Sequence, residues 1–475
     1  MIFKRILITF VLLLFAGSAF CSVDSLYYPV FGKIKIYKPA GKPESVILFV
    51  SGDGGWNKGV VSMAEMFAGE MNALVVGINI RTYFKYLNRS KAACLYPASD
   101  FEELSKFIQH KYQFSKYINP VLIGYSSGAT LVYGALAQAP GNTFKGAIGL
   151  GFCSDLDVNK LMCKGSGLQS EILKPGVSID LKPSKNLENP FIALQGEIDQ
   201  VCGYQQVVSF VNQASNAEVV LLPKVGHGFS VPKNWMPQLK DAFKRINIHF
   251  EKKIATASPK LDSSALVKPP ELMELPLHIT VSPQDTAMPL AFMISGDGGW
   301  TGFDQQIADE LVLRKIPAIG LDALQYFWSQ KLPEKIAADI SPVIQYYLNL
   351  WGRKKFILVG YSFGADVSPF IVAKLNSKVL PKLKAVVLLS PSESTDFEIH
   401  IADMLDIGDS DEEYNVVDAI KKILGIKTLC VFGKDEETSI PQLVKNQNVY
   451  FLTLTGGHHF SDLDNMVNEL LGLLR

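Results

Sequence analysis

The sequence predicts an α/β protein of two tandem domains, each a mostly parallel sheet covered by helices, and three observations carry that reading. The chain has 475 residues, more than the roughly 250–300 at which a single core stops growing. Four landmarks occur twice in the same order: "VILFVSGDGGW" ending at Trp56 and "LAFMISGDGGW" ending at Trp300, "PVLIGYSSGA" and "FILVGYSFGA", "FIALQGEID" and "TLCVFGKDE", "LLPKVGHGF" and "FLTLTGGHHF". Ordered self-similarity of this kind marks a duplication. The landmarks close short apolar runs rich in β-branched residues, "SVILFV", "ALVVGI" and "GAIGLG" among them, and stretches of helical period such as "FEELSKFIQHKY" and "FDQQIADELVLRK" lie between. Continuous apolar strands alternating with helices imply a parallel sheet buried on both faces.

Taken in chain order, residues 1–21 read as an export signal: Lys4 and Arg5, the apolar run Ile6 to Phe15, then small residues Ala16 to Ala19. The run is short for a bilayer span, and Phe20 before Cys21 does not suit lipid attachment, so the expectation is a soluble exported, periplasmic protein. Domain one covers 24–250. Residues 251–275, rich in Lys, Ser, Ala and Pro without sustained periodicity, read as a linker, and domain two covers 276–475. An oxidising compartment favours cysteine pairing, with Cys153–Cys163 and Cys94–Cys202 as the expected disulfides and Cys430, inside "TLCVFG", a buried thiol. Basic and acidic residues both number 46, so nothing supplies the basic surface that nucleic acid requires.

The repeated G-Y-S-x-G, placed after a strand and before a helix, is a nucleophile elbow, with Ser126 between Gly124 and Gly128 and Ser362 between Gly360 and Gly364. A serine hydroxyl needs a base within hydrogen-bond reach, itself oriented by a carboxylate. The chain order Ser, acid, His is that of the α/β-hydrolases. Domain one offers Asp199 and His227. Domain two offers His458, with His459 the spare, and Glu436, with Asp435 and Glu437 as neighbours able to take its role. Spacings agree, since 73 residues separate Ser126 from Asp199 and 74 separate Ser362 from Glu436. Adjacent His458 and His459 converge poorly on one zinc and domain one lacks the pair, so no metal is assigned, and no cofactor. The "SGDGGW" loops are placed to give one oxyanion amide each, from Asp53 or Gly54 and from Asp297 or Gly298, the partners being Ser127 and Phe363. A dinucleotide-binding turn with Asp322 on a ribose is the weaker reading of that loop, because the glycine spacing is wrong and Asn79 replaces Asp322 in domain one.

These motifs, with "LDALQYFW" and "DFEIH" in domain two and "GFCSDL" in domain one, resemble the AcvB/VirJ proteins, periplasmic α/β-hydrolase-like proteins linked to virulence and type IV secretion. The tandem arrangement is similar to the longer AcvB form. The resemblance implies hydrolysis of the aminoacyl ester of lysyl-phosphatidylglycerol by the second-domain serine, here Ser362, with aminoacylated membrane phospholipid as substrate and type IV secretion components as partners. Here Glu436 stands where an aspartate is the family's acid. A lysyl ester carries two ammonium groups near the scissile carbonyl, so carboxylates are expected around domain two's site: Asp366, whose counterpart is Thr130, Asp396, Glu398 and the acidic run 406–413. Tyr326 and Trp328 are candidates for the acyl or lipid side. The alternatives are an esterase or peptidase of other specificity, and a non-catalytic scaffold in which both elbows are relics.

Overall fold

The computed structural model describes residues 22–257, 275–281, 287–397, 414–460 and 462–474, so the export signal, Glu398 and the acidic run 406–413 lie outside the described residues. The first sheet begins with a hairpin, β1 (Ser22–Tyr28) and β2 (Gly32–Lys38). Its inner strands are β3 (Ser45–Val50), β4 (Ala73–Ile78), β5 (Val121–Tyr125) and β6 (Gly146–Leu150). Between β6 and β10 (Phe191–Gly196) the chain leaves to form a small antiparallel cap of β7 (Asp155–Leu156), β8 (Ser170–Lys174) and β9 (Ser178–Leu181), and β11 (Ala217–Leu222) closes the sheet. The order is β1-β2-β4-β3-β5-β6-β10-β11, parallel from β4 onward.

The second sheet repeats this order without the first strand and without a described cap of comparable size. Its strands are β12 (Leu277–Thr280), β13 (Leu290–Ile294), β14 (Ala318–Leu321), β15 (Phe356–Tyr361), β16 (Leu383–Leu389), β19 (Lys427–Gly433) and β20 (Val449–Leu454), ordered β12-β14-β13-β15-β16-β19-β20. Two short strands, β17 (Ser394–Thr395) and β18 (Tyr414–Asn415), pair beside it. The crossover at β3/β4 and again at β13/β14, with an elbow following β5 and β15, is the α/β-hydrolase arrangement.

Both faces of each sheet are covered, which is why the strands read as unbroken apolar runs. In domain one, α3 (Pro97–Lys111), α4 (Ser127–Gln138) and α5 (Tyr204–Val211) cover one face, and α1 (Lys58–Glu70) and α6 (Met236–Ala257) the other, while α2 (Ile80–Leu87) follows β4. In domain two, α9 (Pro333–Leu350), α10 (Phe363–Val372) and α11 (Val416–Lys421) line one face, and α7 (Gly302–Leu313) and α13 (Leu463–Leu474) the other; α8 (Ala323–Tyr326) and α12 (Ile440–Leu443) are single turns. Every residue of β3, β4, β10 and β15 is buried, each large aliphatic side chain contributing roughly 1.5–3 kcal/mol. Helix α6 runs to Ala257, into the segment read as linker, because "EKKIATA" continues it with good helix formers.

The disulfide expectation needs correction. The bonds are Cys94–Cys163 and Cys153–Cys202, not Cys153–Cys163 and Cys94–Cys202. Parallel pairing of β6 with β10 brings the loops after their carboxyl ends together, joining Cys153 to Cys202. The excursion into the cap carries Cys163 away to Leu95, whose carbonyl accepts from the Cys163 amide at 2.8 Å, and so to Cys94. Cys430 is a free, buried thiol, and burial pushes its pKa up to about 12.

Candidate active site

Each elbow serine sits between a strand and a helix in a conformation side chains rarely adopt: Ser126 has φ 55° and ψ −127°, and Ser362 has φ 51° and ψ −120°. The flanking glycines are required by contact. A Cβ on Gly124 would lie 2.1 Å from the Gly128 carbonyl oxygen, and one on Gly360 2.2 Å from that of Gly364. Gly128 and Gly364 in turn press against the carbonyls of Val50 and Ile294, at 2.5 and 2.1 Å for an added Cβ. Strand, turn and helix are thus locked together with the hydroxyl at the sheet's carboxyl edge.

In domain one, His227 places Nε2 2.9 Å from Ser126 Oγ and Nδ1 2.9 Å from Asp199 Oδ2. The Asp199 carboxylate is fully buried and well partnered: Oδ1 accepts from the Val201 and Cys202 amides at 2.9 and 3.0 Å, and Gln195 Nε2 donates to Oδ2 at 3.1 Å. In domain two, His458 places Nε2 2.9 Å from Ser362 Oγ and Nδ1 2.6 Å from Glu436 Oε1. Glu436 Oε2 accepts from the Gly433 amide at 2.6 Å and from Ser390 Oγ at 2.8 Å. Neighbouring Asp435 and Glu437 are exposed. His459 packs on Phe303 and Tyr361 instead; burial, then the neighbouring His458, lower its pKa. With hydrogen on Nδ1, each imidazole donates to its carboxylate and accepts from its serine, as a general base must.

The two "SGDGGW" loops lie against these serines. A Cβ on Gly52 would sit 2.8 Å from Ser126 Cβ, and one on Gly296 3.4 Å from Ser362 Cβ. The Gly55 and Gly299 amides close each turn on the Gly52 and Gly296 carbonyls, at 2.8 and 3.0 Å. Asp53, Gly54, Asp297 and Gly298 are the tips of these turns. Each loop's tryptophan is its anchor: Trp56 lies over Gly77 and Trp300 over Gly320, where an added Cβ would fall 2.2 and 1.9 Å from the rings. The tips differ, since Ser127 Oγ donates to Asp53 Oδ2 at 2.6 Å while Phe363 has no such group.

Of the expected substrate carboxylates, Asp366 is 7% exposed and accepts from the Ser392 amide at 2.6 Å. Burial raises its pKa to about 7, against the hydrogen bonds from Ser392 and with help from Asp297. Its counterpart Thr130 spends its hydroxyl on the Cys153 carbonyl. Asp396 is half-buried just past β17. The expectation for Tyr326 and Trp328 is corrected: both belong to the packed core of domain two, at 5% and 7% exposure, their polar ends spent on Asp339 and on the Phe114 carbonyl. Ser390, Gln195 and the Gly433 amide, which hold the two acids, escape sequence reading; their signal is only their place at strand carboxyl ends.

The profile of the family described as bacterial virulence protein (VirJ) matches residues 44–149 and 288–475, parts of both domains. No curated protein matches the chain. Solved structures similar to it include Est1E from Butyrivibrio proteoclasticus (12% identity, 48% of this chain and 99% of that chain, TM-score 0.31). Others are a serine hydrolase without lid, XC6422, from Xanthomonas campestris (17%, 48% and 94%, 0.31) and dienelactone hydrolase from Anabaena variabilis (13%, 48% and 98%, 0.32).

Proposed function

Since the chain belongs to the VirJ family of bacterial virulence proteins, we propose that it is an exported, periplasmic serine esterase that removes the aminoacyl group from lysyl-phosphatidylglycerol, with Ser362 as nucleophile. The observation that carries this reading is the hydrogen-bonded series Ser362–His458–Glu436 beside the 295–300 loop. Ser362 Oγ attacks the ester carbonyl as His458 Nε2 takes its proton, and Glu436 holds the resulting imidazolium. The oxyanion is met by the Phe363 amide and that of Asp297 or Gly298, donors worth roughly 2.7–4 kcal/mol each in such sites. Collapse passes the His458 proton to the departing glycerol oxygen and leaves a lysyl ester on Ser362. Water, deprotonated by His458, then attacks that ester, releasing lysine and the free serine.

Asp366 and Asp297 support a cationic acyl group. Asp366 is buried where ionisation is costly, and an arriving ammonium lowers that cost by pairing with the carboxylate. Purified protein with vesicles containing lysyl-phosphatidylglycerol is the test: lysine release is expected from the native chain and lost in Ser362→Ala, and release unchanged by that substitution refutes the assignment.

A second reading adds to the first. Ser126, His227 and Asp199 make an equally connected series, with the His227 side chain 19% exposed against 47% for His458. Domain one is therefore proposed as a second, more enclosed esterase centre, and Ser126→Ala measured beside Ser362→Ala divides turnover between the two.

A further inference from the structure

The two domains meet head to tail. Domain one's contribution comes from segments before β5 and β6, at the amino edge of its sheet, and domain two's from segments after β13 and β14, at the carboxyl edge where its site lies. Trp328 Nε1 donates to the Phe114 carbonyl at 2.8 Å, and its ring packs on Tyr117 and edge-on to His110, with centroids 5.3 and 5.8 Å apart. Tyr117 is 3% exposed and belongs to the core cluster of domain two rather than to its own domain's. The residue before Trp328, Phe327, is fully buried and packs edge-on to Phe363, centroids 4.9 Å apart. Phe363 is the residue after the nucleophile, and its amide is an oxyanion donor.

The second contact holds the other donor loop. Asn142 Nδ2 donates to the Trp300 carbonyl, at the end of the 295–300 loop. Domain one's own loop is held without domain two: Asp53 is bonded by Ser127, and Trp56 Nε1 donates to Tyr37 at 3.1 Å.

We propose that domain one is a positioning platform for the Ser362 centre: Asn142 holds the end of the 295–300 loop and the Phe114–Tyr117 turn holds Trp328 and with it the Phe327–Phe363 contact, so both oxyanion donors of domain two are placed by domain one. The inference rests on Ser362 being an esterase nucleophile. It gives the duplication a purpose independent of whether Ser126 turns over, and it makes Asn142 and Trp328 positioning residues. A donor misplaced by about 1 Å costs on the order of 10²-fold in rate.

The test uses the full chain carrying Asn142→Ala or Trp328→Phe, the latter keeping a ring but not the N–H. Two quantities are read: the rate of fluorophosphonate labelling at Ser362, located by peptide mass spectrometry, and kcat and KM for p-nitrophenyl acetate, with circular dichroism to check folding. Expected are losses of on the order of tenfold in labelling and in kcat for Asn142→Ala and Trp328→Phe, with KM within about twofold. Native rates in Asn142→Ala and Trp328→Phe, both folded, overturn the proposal. Absence of labelling at Ser362 in the unsubstituted chain instead overturns the esterase reading on which it stands.

Discussion

Asp366 offers the most quantitative consequence of the site's construction. Its carboxyl is 7% exposed, and burial lifts its pKa from the ordinary 3.8 to about 7, with Asp297 adding to the rise and Ser392 opposing it. A raised folded-state pKa means that the folded chain holds the proton more tightly than the unfolded chain. The stabilising effect is therefore complete below about pH 4 and is lost as pH rises through about 7. The full span is about 4 kcal/mol, at 1.36 kcal/mol per pKa unit. The same linkage gives a cost of about 1.7 kcal/mol at pH 5 and about 4 kcal/mol at pH 8. Asn in this position keeps an oxygen to accept from the Ser392 amide but carries no charge. The stability of Asp366→Asn relative to the native chain is thus expected to improve by about 2.5 kcal/mol between pH 5 and pH 8. Urea midpoints of both proteins measured across that range, followed by a probe of domain two, read this difference with other titrations cancelled. A difference that stays flat with pH refutes the argument that Asp366 is ionised at a cost in the folded state.

Glu436→Gln retains the shape but not the charge that holds the His458 imidazolium, and kcat for ester hydrolysis should fall about 10²- to 10⁴-fold with native folding; steady-state kinetics on a soluble ester measures it. Gly320→Ala drives a methyl into the Trp300 ring and should lower kcat at Ser362 while leaving labelling of Ser126 unchanged, as fluorophosphonate mapping would report. Reduction of Cys153–Cys202, which closes a loop with a sequence separation of 49, should destabilise domain one by up to about 4 kcal/mol and slow labelling of Ser126, because Asp199 accepts from the Cys202 amide; calorimetry with and without reductant separates this from any effect on domain two.

The parts most legible in the sequence were those in which one local rule fixes the outcome. G-Y-S-x-G requires two glycines for steric reasons within a few residues, and buried parallel strands require unbroken apolar runs, so the elbows and sheets could be placed from the letters alone. Spacing shared between the copies pointed to Asp199, His227, Glu436 and His458, residues far apart in the chain that the fold sets within hydrogen-bond reach of one another. What depends on the path of a loop was not legible. The cysteines pair through the cap's excursion and the β6–β10 neighbourhood, neither of which leaves a mark on cysteine spacing. Trp328 reads equally well as a wall of a lipid pocket, and only the docking of domain one makes it core. Asn142 looks like an ordinary loop amide until the Trp300 carbonyl of the other domain is brought to it.

Everything attributed to domain two depends on Ser362 being an activated nucleophile. Peptide mass spectrometry of the full chain after brief exposure to a fluorophosphonate measures that directly. The phosphonylated peptide is expected to contain Ser362, with the modification lost in His458→Ala. A folded chain whose Ser362 peptide remains unmodified under conditions that saturate an ordinary serine esterase would contradict the account.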